Sequence, residues 1–83
     1  MSSVRNNFAE ILIGRSDQSI RFDALRRVVR ALGFDERVHG SHHIFTKENI
    51  DEIINLQPKR GLAKTYQVRQ VRQLIHKYRL ELP

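Results

Sequence analysis

The sequence predicts a single α+β domain in which helices cover one face of a three-stranded antiparallel sheet. Three observations predict this class. The chain has 83 residues, which is enough for one domain. Segments 22–32 and 65–78 repeat apolar residues at helical spacing. Between them, residues 34–56 alternate with a period of two and are interrupted by turn-forming residues.

Residues 1–19 are expected to form an N-terminal extension with one short helix. Phe8, Ile11 and Leu12 recur at helical spacing within Asn6–Ile13, and Gly14 is a suitable helix stop. Residues 15–19 are polar, which predicts a loop. The main domain is therefore expected to occupy residues 20–80.

The next segment predicts the first helix of that main domain. Its apolar face has five members: Phe22, Leu25, Val28, Val29 and Leu32. Gly33 follows directly and predicts the end of the helix. The opposite face carries Arg26, Arg27 and Arg30, which predicts either a solvated surface or a contact with phosphate.

Three short strands are predicted after this helix. Residues 34–45 form a hairpin with its turn at Gly40 and Ser41. Residues 47–49 supply a second turn, and Glu52–Leu56 is the third strand, which ends before Pro58. Strands that are joined this tightly form an antiparallel meander.

The last helix is predicted from Thr65 to Tyr78, after a basic loop at 59–64. Its run Gln67–Arg72 carries Gln and Arg side chains, which can read base edges and so allow a DNA-binding regulator. This hypothesis ranks last. The apolar residues of the same run need burial, and no second helix precedes it at helix-turn-helix spacing.

The charge balance predicts an acidic partner. The formal net charge is +6 and the sequence pI is about 10.5, which favours nucleic acid, an anionic membrane or an acidic protein. The membrane is the poorest of these, because the chain shows no long uncharged apolar run, no secretory signal and no lipidation motif. We expect a soluble, cytoplasmic protein, and the lack of cysteine agrees with a reducing compartment.

Two adjacent histidines follow the predicted hairpin turn. Successive residues of a strand point to opposite faces, so His42 and His43 cannot share one metal ion or one substrate. Zinc needs three or four convergent ligands, and His39 and His76 could join them only by accident of folding. We therefore expect no metal site and no cofactor.

One histidine beside a glycine turn nevertheless suits acid–base chemistry on RNA. An imidazole can take the proton of a 2′-OH or protonate the leaving 5′-oxygen, while basic side chains neutralise the phosphorane. Gly40 permits a close backbone approach to phosphate. From the pattern alone, the chain is a basic α+β nucleic-acid-binding module, and cleavage remains a hypothesis.

Several segments together resemble the HicA family of bacterial toxins over roughly residues 20–79. They are Phe22-Asp23-Ala24-Leu25, Leu32-Gly33-Phe34 and Gly40-Ser41-His42-His43-Ile44-Phe45. The segments 55–58, 63–64 and 66–71 (Asn-Leu-Gln-Pro, Ala-Lys and Tyr-Gln-Val-Arg-Gln-Val) look like a subgroup of that family. Many HicA chains carry a Pro–basic–His–Pro-like element on the third strand, and residues 55–58 depart from it.

The resemblance implies a fold similar to a double-stranded-RNA-binding domain (dsRBD), with the order α-β-β-β-α. It also implies an mRNA interferase, an endoribonuclease toxin that stops translation. A HicB-type antitoxin would hold the toxin inactive by covering the histidine, and DNA would be contacted only through that antitoxin. The family histidine follows Gly-Ser directly, so it corresponds to His42, and the family glycine corresponds to Gly40.

The candidate site follows from this interpretation. His42 is the expected general acid–base residue, and Gly40 and Ser41 shape the turn beside it. Five basic residues are expected to hold the RNA backbone: Lys47, Lys59, Arg60, Lys64 and Arg69. The alternative is a non-catalytic RNA-binding module of the same fold, which would bind RNA in a salt-sensitive way without cleaving it.

Overall fold

Six elements follow one another along residues 3–83, the part of the chain that the computed structural model describes. They are α1 (Val4–Ile13), α2 (Phe22–Ala31), β1 (Asp35–His39), β2 (His42–Lys47), β3 (Ile50–Leu56) and α3 (Thr65–Tyr78). The predicted α+β class is confirmed. Residues 1 and 2 of the predicted extension lie outside the described residues.

The strands form an antiparallel sheet in the order β1-β2-β3. A two-residue turn at Gly40 and Ser41 joins β1 to β2, and Gly40 has the positive φ of 59° that such turns favour. The second turn, at 48–49, has Asn49 at a φ of 71°. Strand β3 begins two residues before the predicted Glu52, because Ile50 pairs with Lys47 across this turn.

The core lies between one face of the sheet and the three helices. The sheet contributes Phe45, Ile54 and Leu56, which are almost completely buried. The predicted apolar face of residues 22–32 and the apolar face of α3 meet them with nine buried residues: Phe22, Leu25, Val28, Val29, Leu32, Val68, Val71, Leu74 and Ile75. Burial of such side chains is the main stabilising contribution in a chain of this size.

Helix α1 belongs to the same core. Ser3 caps it, because its hydroxyl accepts a hydrogen bond from the Asn6 N–H at 3.0 Å, and Gly14 ends it at a φ of 76°. Ile11 is fully buried. The guanidinium of Arg72 on α3 donates to the Ile11 carbonyl at 3.0 Å and binds both carboxylate oxygens of Asp17 at 2.9 Å. The N-terminal segment is thus fastened to the last helix.

The first strand keeps its alternation, but burial decreases along it. A period of two puts Phe34, Glu36 and Val38 on one face, and Phe34 is buried. The Glu36 side chain, only 7% exposed, also lies on the helix side. Val38 pairs with His43 on the same side, but it is 54% exposed.

Within residues 3–83, no helix is long and apolar enough to span a bilayer.

Candidate functional site

His42 is the first residue of β2 and its side chain is exposed beside the hairpin turn. Its Nδ1 lies 3.4 Å from Oδ1 of Asn55 on the neighbouring strand β3. A carboxamide oxygen can only accept, so a hydrogen bond at this contact would be donated by Nδ1–H. In that neutral tautomer the lone pair is on Nε2. An imidazole oriented in this way is suited to act as a base towards a ligand.

His43 occupies the opposite face, as the alternation predicted. Its Nδ1 lies 2.7 Å from Glu36 Oε2, and its ring meets the Phe22 ring edge-on with centroids 4.9 Å apart. Arg26 Nε donates to the same carboxylate at 2.6 Å. The hydrogen bond from Arg26, with that from His43, lowers the pKa of Glu36 against the opposing effect of burial. His43 is therefore part of the link between α2 and the sheet.

Strand register also brings His39 next to His42. The two residues flank the Gly40-Ser41 turn and are directly paired, so their side chains share a face of the sheet. The prediction left His39 out of the site. The signal was present, because residues on either side of a two-residue hairpin turn always face each other.

A polar chain leads away from the turn towards α3. The Gln57 side-chain amide donates to Ser41 Oγ at 3.1 Å, and Lys64 Nζ donates to Gln57 Oε1 at 3.4 Å. Ser41 and Lys64, two of the predicted site residues, are thus joined through one glutamine that the prediction did not include. Gln57 lies in the segment 55–58 that resembles the HicA subgroup, but the sequence did not predict this contact, since it depends on the packing of α3 beside β3.

The buried side chain of Gln67 holds this region together. It is 1% exposed and comes from the first turn of α3. Its Nε2 donates to the Asn55 carbonyl and to the Tyr66 hydroxyl, each at 3.4 Å, and its Oε1 accepts from the Gln57 N–H at 3.5 Å. Gln67 is therefore not available to read DNA base edges, which removes one support of the DNA-binding hypothesis.

Beyond Gln57 lies an open groove with a volume of about 670 Å³. Its walls come from the 57–66 segment, with Gln18 opposite. Three of the predicted basic residues line it, namely Lys59, Arg60 and Lys64, and no acidic residue does. Within residues 3–83, none of these three cations has a carboxylate oxygen within 4.0 Å. The groove is an unneutralised positive surface, which suits an anion.

The other two predicted basic residues lie elsewhere. Lys47 is at the opposite end of β2 from His42, roughly 16 Å along the strand. Its Nζ lies so close to Gly33 that a side chain at that glycine would clash with it, since an added Cβ would be 2.5 Å away. Arg69 is well exposed on α3, and its Nε is 4.0 Å from Asp17. The structure brings neither of them to the His42 turn.

No three His, Asp or Glu side chains in the described range converge in a way that could hold a metal ion. Comparisons of the chain with protein-family models, with curated proteins and with solved structures find no match.

Proposed function

We propose that this protein is a metal-independent endoribonuclease that cleaves mRNA as the toxin of a bacterial toxin–antitoxin pair. The observation that carries the proposal is the setting of His42. Its imidazole is exposed and its Nδ1 contacts Asn55. Gln57 links the neighbouring Ser41 to a groove with three cations that have no ion-pair partner among residues 3–83. RNA cleavage of this kind needs an acid–base group and cations that can hold phosphate.

The proposed reaction is an attack of the ribose 2′-oxygen on the adjacent phosphate. His42 Nε2 takes the proton of a ribose 2′-OH, and the 2′-oxygen forms a bond to the adjacent phosphorus. The bond between that phosphorus and the 5′-oxygen breaks, and the imidazolium gives its proton to the departing oxygen. The products are a 2′,3′-cyclic phosphate and a 5′-OH. Cationic side chains stabilise the charge that develops on the phosphorane oxygens.

The element order supports a finer proposal about the fold. After α1, the chain runs α-β-β-β-α with the helices on one face of the sheet, which agrees with the dsRBD-like architecture that the resemblance to HicA toxins implies. We assign this architecture to residues 20–80. The proposed substrate, mRNA, is consistent with action of this protein in the cytoplasm.

A HicB-type antitoxin is the proposed protein partner. His42, Ile44, Ile53 and Asn55 lie on the face of the sheet that no helix covers, and Ile53 is 60% exposed. We call this the open face. An antitoxin that packs on its apolar residues would also cover His42, which explains inhibition without any change in the toxin's fold.

The first prediction concerns His42 itself. Purified wild-type protein should cleave a structured mRNA in the presence of EDTA, whereas His42→Ala should reduce the rate by roughly 100-fold or more, since it removes the acid–base group. His76→Ala is the matched control, because His76 is also exposed but lies on α3. Product ends are read by gel electrophoresis and mass spectrometry. Equal cleavage by wild type and His42→Ala would contradict the assignment.

The second candidate function is a non-catalytic RNA-binding module. The groove favours it as well, because three cations without an ion-pair partner in the described part of the chain could bind phosphate whether or not cleavage follows. The two functions differ in whether the bound RNA is cut. RNA that is bound tightly at low salt but recovered intact, together with growth that is unaffected by expression of the chain, would favour this second function.

A further inference from the structure

Tyr66 is an aromatic residue that the proposed chemistry leaves unused. It lies in the first turn of α3, its side chain is 60% exposed, and it lines the groove together with Lys59, Arg60 and Lys64. A ring this exposed contributes little to the core. Aromatic faces next to cations are the usual means by which proteins hold unpaired bases.

The ring is held by more than its own backbone. Its hydroxyl accepts a hydrogen bond from Gln67 Nε2 at 3.4 Å, and that buried amide is itself fixed by the Asn55 carbonyl and the Gln57 N–H. The tyrosine is thus anchored at its polar end while its faces remain accessible. Pre-organisation of this kind lowers the entropy cost of binding.

The groove has the size and the chemistry of a nucleotide site. Its volume of about 670 Å³ falls in the range of small-ligand pockets. The lining combines one aromatic ring, three cations and the apolar side chains of Pro58, Leu62 and Ala63. An anionic, flat, partly apolar ligand matches this combination, and a nucleotide has all three properties.

We propose that this groove binds one nucleotide of single-stranded RNA, with its base stacked on Tyr66 and its phosphate held by Lys59, Arg60 and Lys64. The inference rests on the proposed function for the identity of the ligand as RNA. It adds the requirement that the RNA be unpaired at this position, because a base inside a duplex has no free face for the ring.

Gln57 indicates where the proposed subsite lies relative to His42. Its side chain bridges Ser41, next to His42, and Lys64, in the groove. A strand that crosses His42 therefore enters the groove with an adjacent nucleotide. Binding there would draw the scissile phosphate to His42, so the subsite would select single-stranded segments within structured mRNA.

The test measures binding apart from cleavage, in the non-cleaving His42→Ala background. Fluorescence anisotropy with a labelled single-stranded oligonucleotide and with a duplex of the same sequence gives the two affinities. Tyr66→Leu should weaken single-strand binding by roughly 5- to 150-fold, the loss expected for one stacked base. Tyr66→Phe, which keeps the stacking face but loses the hydroxyl anchor, should bind with an affinity between those of Tyr66→Leu and the parent, and neither change should alter duplex binding.

Tyr66→Trp supplies a second readout, because the chain has no tryptophan. Its emission should be quenched on addition of the single strand, with the same dissociation constant that anisotropy gives. Ile13→Trp is the control, since Ile13 is exposed but does not line the groove, and its emission should not change. Circular dichroism checks that each variant folds.

Two outcomes would overturn the subsite. One is unchanged single-strand affinity in Tyr66→Leu with no quenching in Tyr66→Trp, and the other is quenching by polyglutamate but not by RNA, which would make the groove a site for an acidic protein segment. The proposed function fails separately. If the affinities and the quenching of Tyr66→Trp are as expected but the wild-type protein leaves RNA intact, the subsite stands and the endonuclease does not.

Discussion

At the scale of single residues, alternation along β2 separates the two adjacent histidines and gives them different neighbours. This much could be predicted from the sequence, because the period of a strand is fixed by backbone geometry. The contact between His42 and Asn55 could not be predicted, since it depends on the register between β2 and β3, where Ile44 pairs with Asn55. The hydrogen bonds of Gln57 and Gln67 could not be predicted for the same reason, because packing decides their partners.

Asn55 is a positioning residue in the proposed mechanism, so Asn55→Leu should impair His42 without removing it. We expect nitrogen-15 chemical shifts of the imidazole to show the Nδ1–H tautomer in the wild type and a loss of that preference in the variant. Cleavage should slow by roughly 2- to 10-fold, in line with the net value of one hydrogen bond. Thr46→Leu is the control, because Thr46 is exposed like Asn55 but lies on β2, away from the turn. The Nε2–H tautomer in the wild type would refute this role.

At the scale of elements, two side-chain clusters fasten helices to distant parts of the chain. Arg72 ties α3 to the loop before α2 through Asp17, and Glu52 of β3 accepts hydrogen bonds from Lys77 Nζ and Tyr78 Oη of α3, each at 2.6 Å. The existence and type of the elements could be predicted from periodicity. These connections could not, because the partners are 55 and 25 to 26 residues apart.

The Glu52 cluster predicts an acid-sensitive contribution to stability. Hydrogen bonds from Lys77 and Tyr78 lower the pKa of Glu52 from 4.5 to about 2. A carboxylate whose pKa is lower in the folded state stabilises the protein above its unfolded pKa, and this stabilisation is lost as the pH falls. Glu52→Gln should therefore lower Tm at pH 7, and the difference from wild type should shrink between about pH 5 and pH 2.

The control for Glu52→Gln is a substitution at a carboxylate that has no hydrogen-bonded or ion-paired partners of this kind. Glu48 lies in the exposed second turn and has no ion-pair partner among residues 3–83, so Glu48→Gln should leave the pH dependence of Tm close to that of the wild type. Thermal unfolding followed by circular dichroism at several pH values provides the measurement. Parallel Tm curves for Glu52→Gln and wild type would show that the contact between β3 and α3 contributes nothing.

At the scale of the whole molecule, the net charge of +6 is distributed unevenly. Asp17, Glu36 and Glu52 form ion pairs with cations of the helices. Around the groove, Lys59, Arg60 and Lys64 have no ion-pair partner between residues 3 and 83. The total charge predicted an acidic partner, and the basic loop 59–64 was visible in the sequence. Which cations would stay free could not be predicted, because that depends on which carboxylates fold against them.

This distribution predicts the salt dependence of RNA binding. In the His42→Ala background, the triple variant Lys59→Gln, Arg60→Gln and Lys64→Gln should reduce the slope of the logarithm of the RNA-binding constant against the logarithm of the salt concentration by about 2. Each phosphate contact with a single strand contributes about 0.7 to this slope. The control is a second triple variant in which three cations outside the groove, Arg5, Arg15 and Arg27, are replaced by Gln. It removes the same amount of charge and should change the slope much less. Equal slopes for the two triple variants would show that the groove is not the phosphate-binding surface.

The fastening of α1 has a consequence for the timing of synthesis. Ile11 and Asp17 are synthesised before Arg72 of α3, whose guanidinium binds them. The core between α1 and α3 therefore cannot close until α3 has been made, and Gln67, which orders the Asn55 strand end and Tyr66, belongs to the same helix. A nascent chain that has completed β2 but not α3 would carry His42 without its supporting surroundings, so the proposed nuclease would become active only after α3 has been translated.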